Sequence, residues 1–254
     1  MPHYASNIRA FCKIMLIASF VAGCASLPED QRSDIRDPYE ETNRQVFAFN
    51  LAADTYVLEP VADGYRNVAP NGVQKAVSNH VNWVSLPSTA VNSTLQGKFE
   101  NATLAVLHFA VNALTLGFAD LTADDEQPTK EDFGQTLAAA NVPEGSYIEV
   151  PLLGGHTTRS LTGRVVDFVM NPLSALQAGE VGQTVQSAQL PVAAVSARAE
   201  DFEAINEVKY NSLDPYARAR SVYYQKRTGL LEDRLPGQIV ESDNDDAFDS
   251  FFGD

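Results

Sequence analysis

The side chains able to carry chemistry in this 254-residue chain are few and scattered. His156 and Ser160 stand together in LLGGHTTRS, with Thr157 and Thr158 between them, which are the residue types of a hydroxyl nucleophile and its base. Neither a nucleophile turn nor an orienting acid accompanies them. A histidine beside hydroxyls is common in loops, so the pair carries no catalytic assignment. His3, His80 and His108 are dispersed, and no G-x-S-x-G elbow, H-E-x-x-H helix, Walker loop or G-x-G-x-x-G fingerprint occurs. The expectation is a protein with no catalytic residue, no metal and no cofactor.

One residue is marked for chemistry by its surroundings. Cys24 follows an apolar run, Ile14 to Gly23, that spans only about 15 Å as a helix, against the roughly 30 Å of a bilayer core. Arg9 and Lys13 precede the run and the small residues Ala22 and Gly23 close it, which is signal-peptide grammar. Val21-Ala22-Gly23-Cys24 resembles a bacterial lipobox, which implies cleavage before Cys24 and acylation of its thiol. Several acyl chains, at about 0.8 kcal/mol per buried methylene, hold a folded domain to a membrane surface. Ala25 and Ser26 lack the acidic residue that retains enteric lipoproteins at the inner membrane, so the outer membrane is expected. Cys12 leaves with the leader and Cys24 is consumed by lipid, which excludes thiol chemistry and disulfides from the processed chain.

The leader holds two of the 18 basic residues and none of the 33 acidic ones, so the processed chain of 231 residues carries a net charge of −17. That balance argues against nucleic acid and against electrostatic docking on anionic lipid. Contact with lipid must therefore be apolar. The stretch from 241 to 254, ESDNDDAFDSFFGD, is acidic and reads as a disordered tail. The expected organisation is a leader at 1–23, an acylated linker at 24–36, one helical domain at 37–235 and the acidic tail at 236–254.

Helix signals dominate the domain. Asp37-Pro38-Tyr39-Glu40 has an N-cap, a first-turn proline and a glutamate at the third position, and Asp214-Pro215-Tyr216 repeats the first three elements. Pro60, Pro70, Pro87, Pro143, Pro151 and Pro172 predict several short helices. The run YIEVPLLGG reads as extended or loop, and the fold class is mainly α. Two segments are more apolar than surface helices should be, and each carries one narrow polar stripe. Asn101, His108, Asn112 and Thr115 form one; Asn43, Asn50 and Asp54 form the other, with the offsets 0, 7 and 11 recurring. Two explanations follow. The stripes meet other polar groups inside a core, or apolar faces turn outward to lipid while the stripes line an interior passage.

Six stretches carry a family resemblance: DPYEETNRQVFAFN from 37, LEPVADGYRNVAP from 58, VNSTLQGKFENA from 91, EDFGQTL from 131, VPLLGGHTTRSLTG from 150 and SLDPYARARSVYYQKR from 212. Together with the lipobox the chain resembles the MlaA (VacJ) family of outer-membrane lipoproteins. The residues that match are Asp37, Pro38, Asn43, Phe47, Phe49, Gln96, Gly97, Gly117, Asp120, Asp132, Phe133, Gly134, Gln135, Pro151, Gly154, Arg159, Gly163, Asp214, Pro215 and Tyr216. Departures occur at LGFAD from 116, shorter than the family's glycine-rich loop, at His80 and Trp83, and at His156 and Ser160.

The resemblance implies a single ring-like helical domain embedded in one membrane leaflet, with a central amphipathic channel. It implies a position beside a trimeric porin and removal of phospholipid from the outer leaflet. The lipid passes to a soluble periplasmic carrier and, indirectly, to an inner-membrane ABC transporter. On that reading Asn50, Asp54, His108 and Asn112 are candidate channel-lining residues. A structural or adhesion lipoprotein is the alternative, and it predicts helices with one apolar face. A lipid-modifying hydrolase predicts a nucleophile motif that the chain lacks.

Overall fold

The computed structural model describes residues 34–123, 125–170 and 180–232. The leader, Cys24, Pro172 and the acidic tail lie outside the described residues.

The described regular elements are helices except for one hairpin. In order come α1 (Glu40–Ala53), a wide π-turn (Asp54–Leu58), α2 (Glu59–Val68), α3 (Asn71–Leu95), α4 (Phe99–Asn112) and a 3-10 turn (Ala113–Thr115). Then follow α5 (Phe133–Ala139), β1 (Tyr147–Val150), β2 (Gly154–Thr157), α6 (Thr158–Met170), α7 (Glu180–Glu200), α8 (Phe202–Tyr210) and α9 (Pro215–Glu232). The two strands are antiparallel, with Tyr147 opposite Thr157 and Val150 opposite Gly154. YIEVPLLGG is thus extended, as its β-branched residues and turn residues suggest.

The two DP motifs have different fates. Asp214 caps α9 by accepting the Ala217 amide, with Pro215 at the first helical position, where a missing N–H costs nothing. Asp37 does not cap α1, which begins at Glu40. Its carboxylate is fully buried and accepts from Asn43, Tyr216 and Arg220, three interior donors that satisfy a buried charge better than one amide. The prolines also cut less than expected. Pro60 lies in the first turn of α2, but Pro87 lies inside the 25-residue α3 and Pro191 inside α7. Packing of α3 against α4, its most extensive partner, offsets the one intrahelical hydrogen bond a proline removes.

The described residues are inverted relative to an ordinary domain. Among the described residues, the buried residues of apolar type other than Pro38 and glycines are all alanine or tyrosine. The rest of the interior is polar: Asn92, Ser93, Thr89, Gln135, Glu149, Arg198, Lys209, Arg220 and Arg227 among others. Outside lie Val57, Val61, Phe99, Val106, Leu107, Leu114, Phe168 and Val169, all exposed. Valine, leucine and phenylalanine normally fill cores, so their outward placement is the main structural observation. Among the described residues no helix is long and apolar enough to cross a membrane.

Candidate functional site

Both polar stripes meet protein partners. On α4, Asn101 exchanges hydrogen bonds with the backbone of Thr129 and donates to Ser93 on α3. His108 Nδ1 lies 2.9 Å from Thr122 Oγ1. Asn112 donates to Asp120 and Thr122 and accepts the Leu121 amide. Burial pushes the Asp120 carboxyl up, but hydrogen bonds from Thr122 and Asn112 outweigh it and hold the group below its ordinary range. The α4 stripe therefore holds down the segment after the 3-10 turn. His108 and Asn112 are buried, so they back this segment rather than present free polar groups to a lumen.

The α1 stripe is a ruler for the hairpin. Asn43 donates to the Tyr147 carbonyl and accepts the Glu149 amide; Asn50 donates to the Val150 carbonyl and to Glu149, and accepts the Leu152 amide. Seven helical residues rise about 10.5 Å and three strand residues about 10 Å, so two asparagines two turns apart match the strand register. Each carboxamide copies the donor and acceptor of a neighbouring strand, which closes the open edge of β1. Asn50 also supports Leu152, a non-glycine residue in the left-handed region at φ 62°.

Asp54, the third member of that stripe, enters an ion-pair cluster at the π-turn. Arg198 on α7 and Lys209 on α8 both bind it at 2.8 Å, and Lys209 also binds Glu59 at 2.5 Å. Burial alone pushes Asp54 up; the hydrogen bonds from Arg198 and Lys209 outweigh it and hold the carboxyl low. The Glu59 carboxyl is lowered chiefly by its hydrogen bond from Lys209, with Tyr210 assisting. α2, which follows the π-turn, packs against α7.

A second cluster joins the start of α1 to the start of α9. Asp37 binds Arg220 at 2.5 Å and Tyr216, while Arg44 bridges Glu40 at 2.8 Å and Asp214 at 2.7 Å. Around it pack Tyr147, Tyr223 and Tyr224, with Phe47 edge-on to Tyr216 at 5.6 Å. Phe49, by contrast, is exposed.

The central motif EDFGQTL forms a helix start and a crossing. Asp132 accepts the Gln135 amide while Gln135 accepts the Asp132 amide, a capping box legible as D-x-x-Q but missed in the sequence reading above. Asp132 also binds Arg227 at 2.5 Å. Phe133 gives its amide to Asp167, which gathers Ser88 and Asn92 as well and so ties α3, α5 and α6 together. Gly134 and Gly163 face each other where α5 crosses α6; a β-carbon on Gly163 would overlap the Gly134 backbone. Arg159 donates to the Val142 carbonyl and Gln96 to Thr136. Gly97, at φ 77°, turns α3 into α4, while Pro151 and Gly154, at φ 77°, frame the hairpin turn.

The departures have local reasons. Gly117, at φ 75°, lies against Trp83, and a side chain there would strike the indole. Trp83 stacks on Phe109 at 4.9 Å and donates to its carbonyl; His80 stacks on Phe118 at 4.5 Å and lies 2.6 Å from the Leu116 carbonyl. The short LGFAD loop is thus held by two α3 side chains. Ser160 bonds Thr157 and Tyr223 and so joins β2 to α6 and α9, while His156 lies 3.1 Å from the Gly154 carbonyl within β2. Burial lowers the His156 pKa.

The partners Arg198, Lys209, Arg220, Arg227, Asp167 and Glu149 were missed in the sequence reading. Most of their partners lie far away in sequence, as with Asp167 and Asn92, 75 apart, or Arg220 and Asp37, 183 apart, and no local periodicity marks them.

Residues 35–229 match the model of the family described as MlaA lipoprotein. The chain is 30% identical to the intermembrane phospholipid transport system lipoprotein MlaA of Haemophilus influenzae, over 90% of this chain and 91% of that one. It is 26% identical to the protein of the same name from Escherichia coli K12, over 92% of each. An uncharacterised Rickettsia felis protein is 33% identical over 78% of this chain and 79% of its own. A solved structure described as the structural basis for maintenance of bacterial outer membrane lipid asymmetry superposes with a TM-score of 0.65 at 28% identity, covering 77% of this chain and 98% of that one. With the mostly helical fold, the polar interior and the six motifs in place, this chain belongs to the MlaA lipoprotein family.

Proposed function

We propose that this protein is a lipid-anchored component of the outer membrane that takes phospholipid out of the outer leaflet and passes it to a soluble periplasmic carrier. The carrying observation is the inversion: ion-paired and hydrogen-bonded groups inside, valine, leucine and phenylalanine outside, on helices too short or too polar to cross a bilayer. Such a body is suited to sit within one leaflet, its apolar faces against acyl chains. The names of its relatives, which speak of phospholipid transport and lipid asymmetry, support the same reading. A trimeric porin as neighbour and an ABC transporter downstream complete the proposal. The work of transport comes from those partners, because a passive conduit shifts nothing by itself.

Within this reading Asn50, Asp54, His108 and Asn112 act as positioning residues. They hold the hairpin, the π-turn and residues 119–122, whose outer faces then shape the lipid path. Exposure of phospholipid in the outer leaflet of cells lacking the gene tests the function. Exposure should rise, return to normal with the intact protein, and stay raised with Cys24→Ala. Unchanged exposure would return the protein to the structural alternative. Replacing Asn50 and Asn112 together by leucine should impair rescue at normal protein abundance.

A further inference from the structure

Several ion pairs share a direction, although Lys98–Glu131 and Arg220–Asp37 run the other way, with the carboxylate fully buried. Arg198 and Lys209 have side chains 2% and 4% exposed, while their partners Asp54 and Glu59 are 16% and 19% exposed. Arg227 is 7% exposed against 40% for Asp132, and Arg159 is 9% against 31% for Glu144. In these pairs the cation lies inside and the carboxylate lies nearer water. At the π-turn this happens beside exposed Val57 and Val61, where apolar surface meets the cluster. The single cations that do reach the surface, such as Lys75 and Arg218, are outnumbered by exposed acids including Asp63, Glu100, Glu200, Asp201 and Glu203.

A lipid phosphate entering such a border meets carboxylate first. Its desolvation is then not compensated by a cation, because Arg198 and Lys209 already serve protein carboxylates. The ammonium of a zwitterionic headgroup meets the same carboxylates favourably and offsets its own phosphate. Like-charge juxtaposition is the usual means by which a site rejects a ligand whose shape it accepts.

We infer that this protein selects zwitterionic over anionic phospholipid, with Asp54 and Glu59 as the specificity-determining residues that screen Arg198 and Lys209 from the lipid phosphate. The inference rests on the phospholipid reading above.

The test uses the full acylated protein in vesicles holding equal phosphatidylethanolamine and phosphatidylglycerol, each in turn carrying a trace photoactivatable analogue. Crosslinking to the zwitterionic analogue should exceed that to the anionic one by roughly threefold or more, and the ratio should shrink as salt screens the carboxylates. Glu59→Gln, at a partly exposed site, should move the ratio toward one by releasing part of the Lys209 charge; Glu100→Gln, exposed on α4, should leave it unchanged. Equal or anionic-favoured crosslinking in the parent overturns the selectivity. A ratio unmoved by Glu59→Gln, or moved equally by Glu100→Gln, overturns the assignment to the π-turn. Crosslinking to neither lipid overturns the phospholipid reading itself, with folding checked by circular dichroism.

Discussion

At the scale of single residues, stability rests on charges held where an ordinary core holds leucine. Asp37 is fully buried and receives Arg220, Tyr216 and Asn43. Asp37→Ala should therefore cost about 3–5 kcal/mol, the range for breaking a buried pair from one side. Asp37→Ala with Arg220→Met should recover part of that loss, because no uncompensated charge remains; thermal unfolding in detergent measures both. Two carboxyls give opposite pH dependences. Asp54, held low by Arg198 and Lys209 against the upward push of burial, contributes stability above its unfolded pKa of about 3.9 and loses it as pH falls through the lower folded value. Burial raises Glu149 despite its hydrogen bonds from Asn50 and Tyr147, so it costs stability as pH rises from about 4.3 upward. Unfolding temperatures between pH 3 and about 8 should show a flatter acid limb for Asp54→Asn and a weaker decline above the carboxylate range for Glu149→Gln.

At the scale of elements, the junctions are set by small or bidentate residues. Asn50 holds the Val150 carbonyl and the Leu152 amide, so Asn50→Ala should release the hairpin tip. Hydrogen exchange over 147–157 should quicken there, by an opening free energy lower by about 1–3 kcal/mol, while α3 and α4 keep their protection. Gly163 lies against Gly134 at the α5–α6 crossing, and Gly163→Ala should cost about 1–3 kcal/mol through overpacking. Gly64, on α2, has open space where a β-carbon would sit. Gly64→Ala should stabilise by about 0.5–1 kcal/mol, because only the helix propensity changes. The two glycines make a matched pair: same substitution, opposite sign, read from the same unfolding curve.

At the scale of the whole molecule, the apolar exterior must find a solvent other than water. Val106 and Val111 are exposed on α4, outside the stripe that binds residues 120–122 and Thr129. Replacing both by glutamate in a Cys24→Ala background should reduce partition into vesicles by roughly tenfold or more, since each charge must leave the apolar layer or carry water with it. Circular dichroism should be unchanged, because neither side chain packs inside. Equal partition of the variant and its parent would mean that the α4 face meets a protein neighbour instead of acyl chains.

Much of this protein was legible from the chain alone. Helical periodicity, the extended YIEVPLLGG run, the Asp214 cap and the family motifs are local patterns, and local physics writes them within a few residues. The two polar stripes were legible too, as positions on a helix. What they face was decided by tertiary structure: Asn43 and Asn50 by a hairpin about a hundred residues away, Asp54 by cations on α7 and α8, Asn112 by the Asp120–Thr122 turn. Asp37 shows the same limit, for its motif reads as a cap while Arg220, 183 positions on, converts it to a buried ion partner. A sequence specifies which side of a helix is polar by spacing; which partner completes that side is a property of chain segments brought together only by the fold.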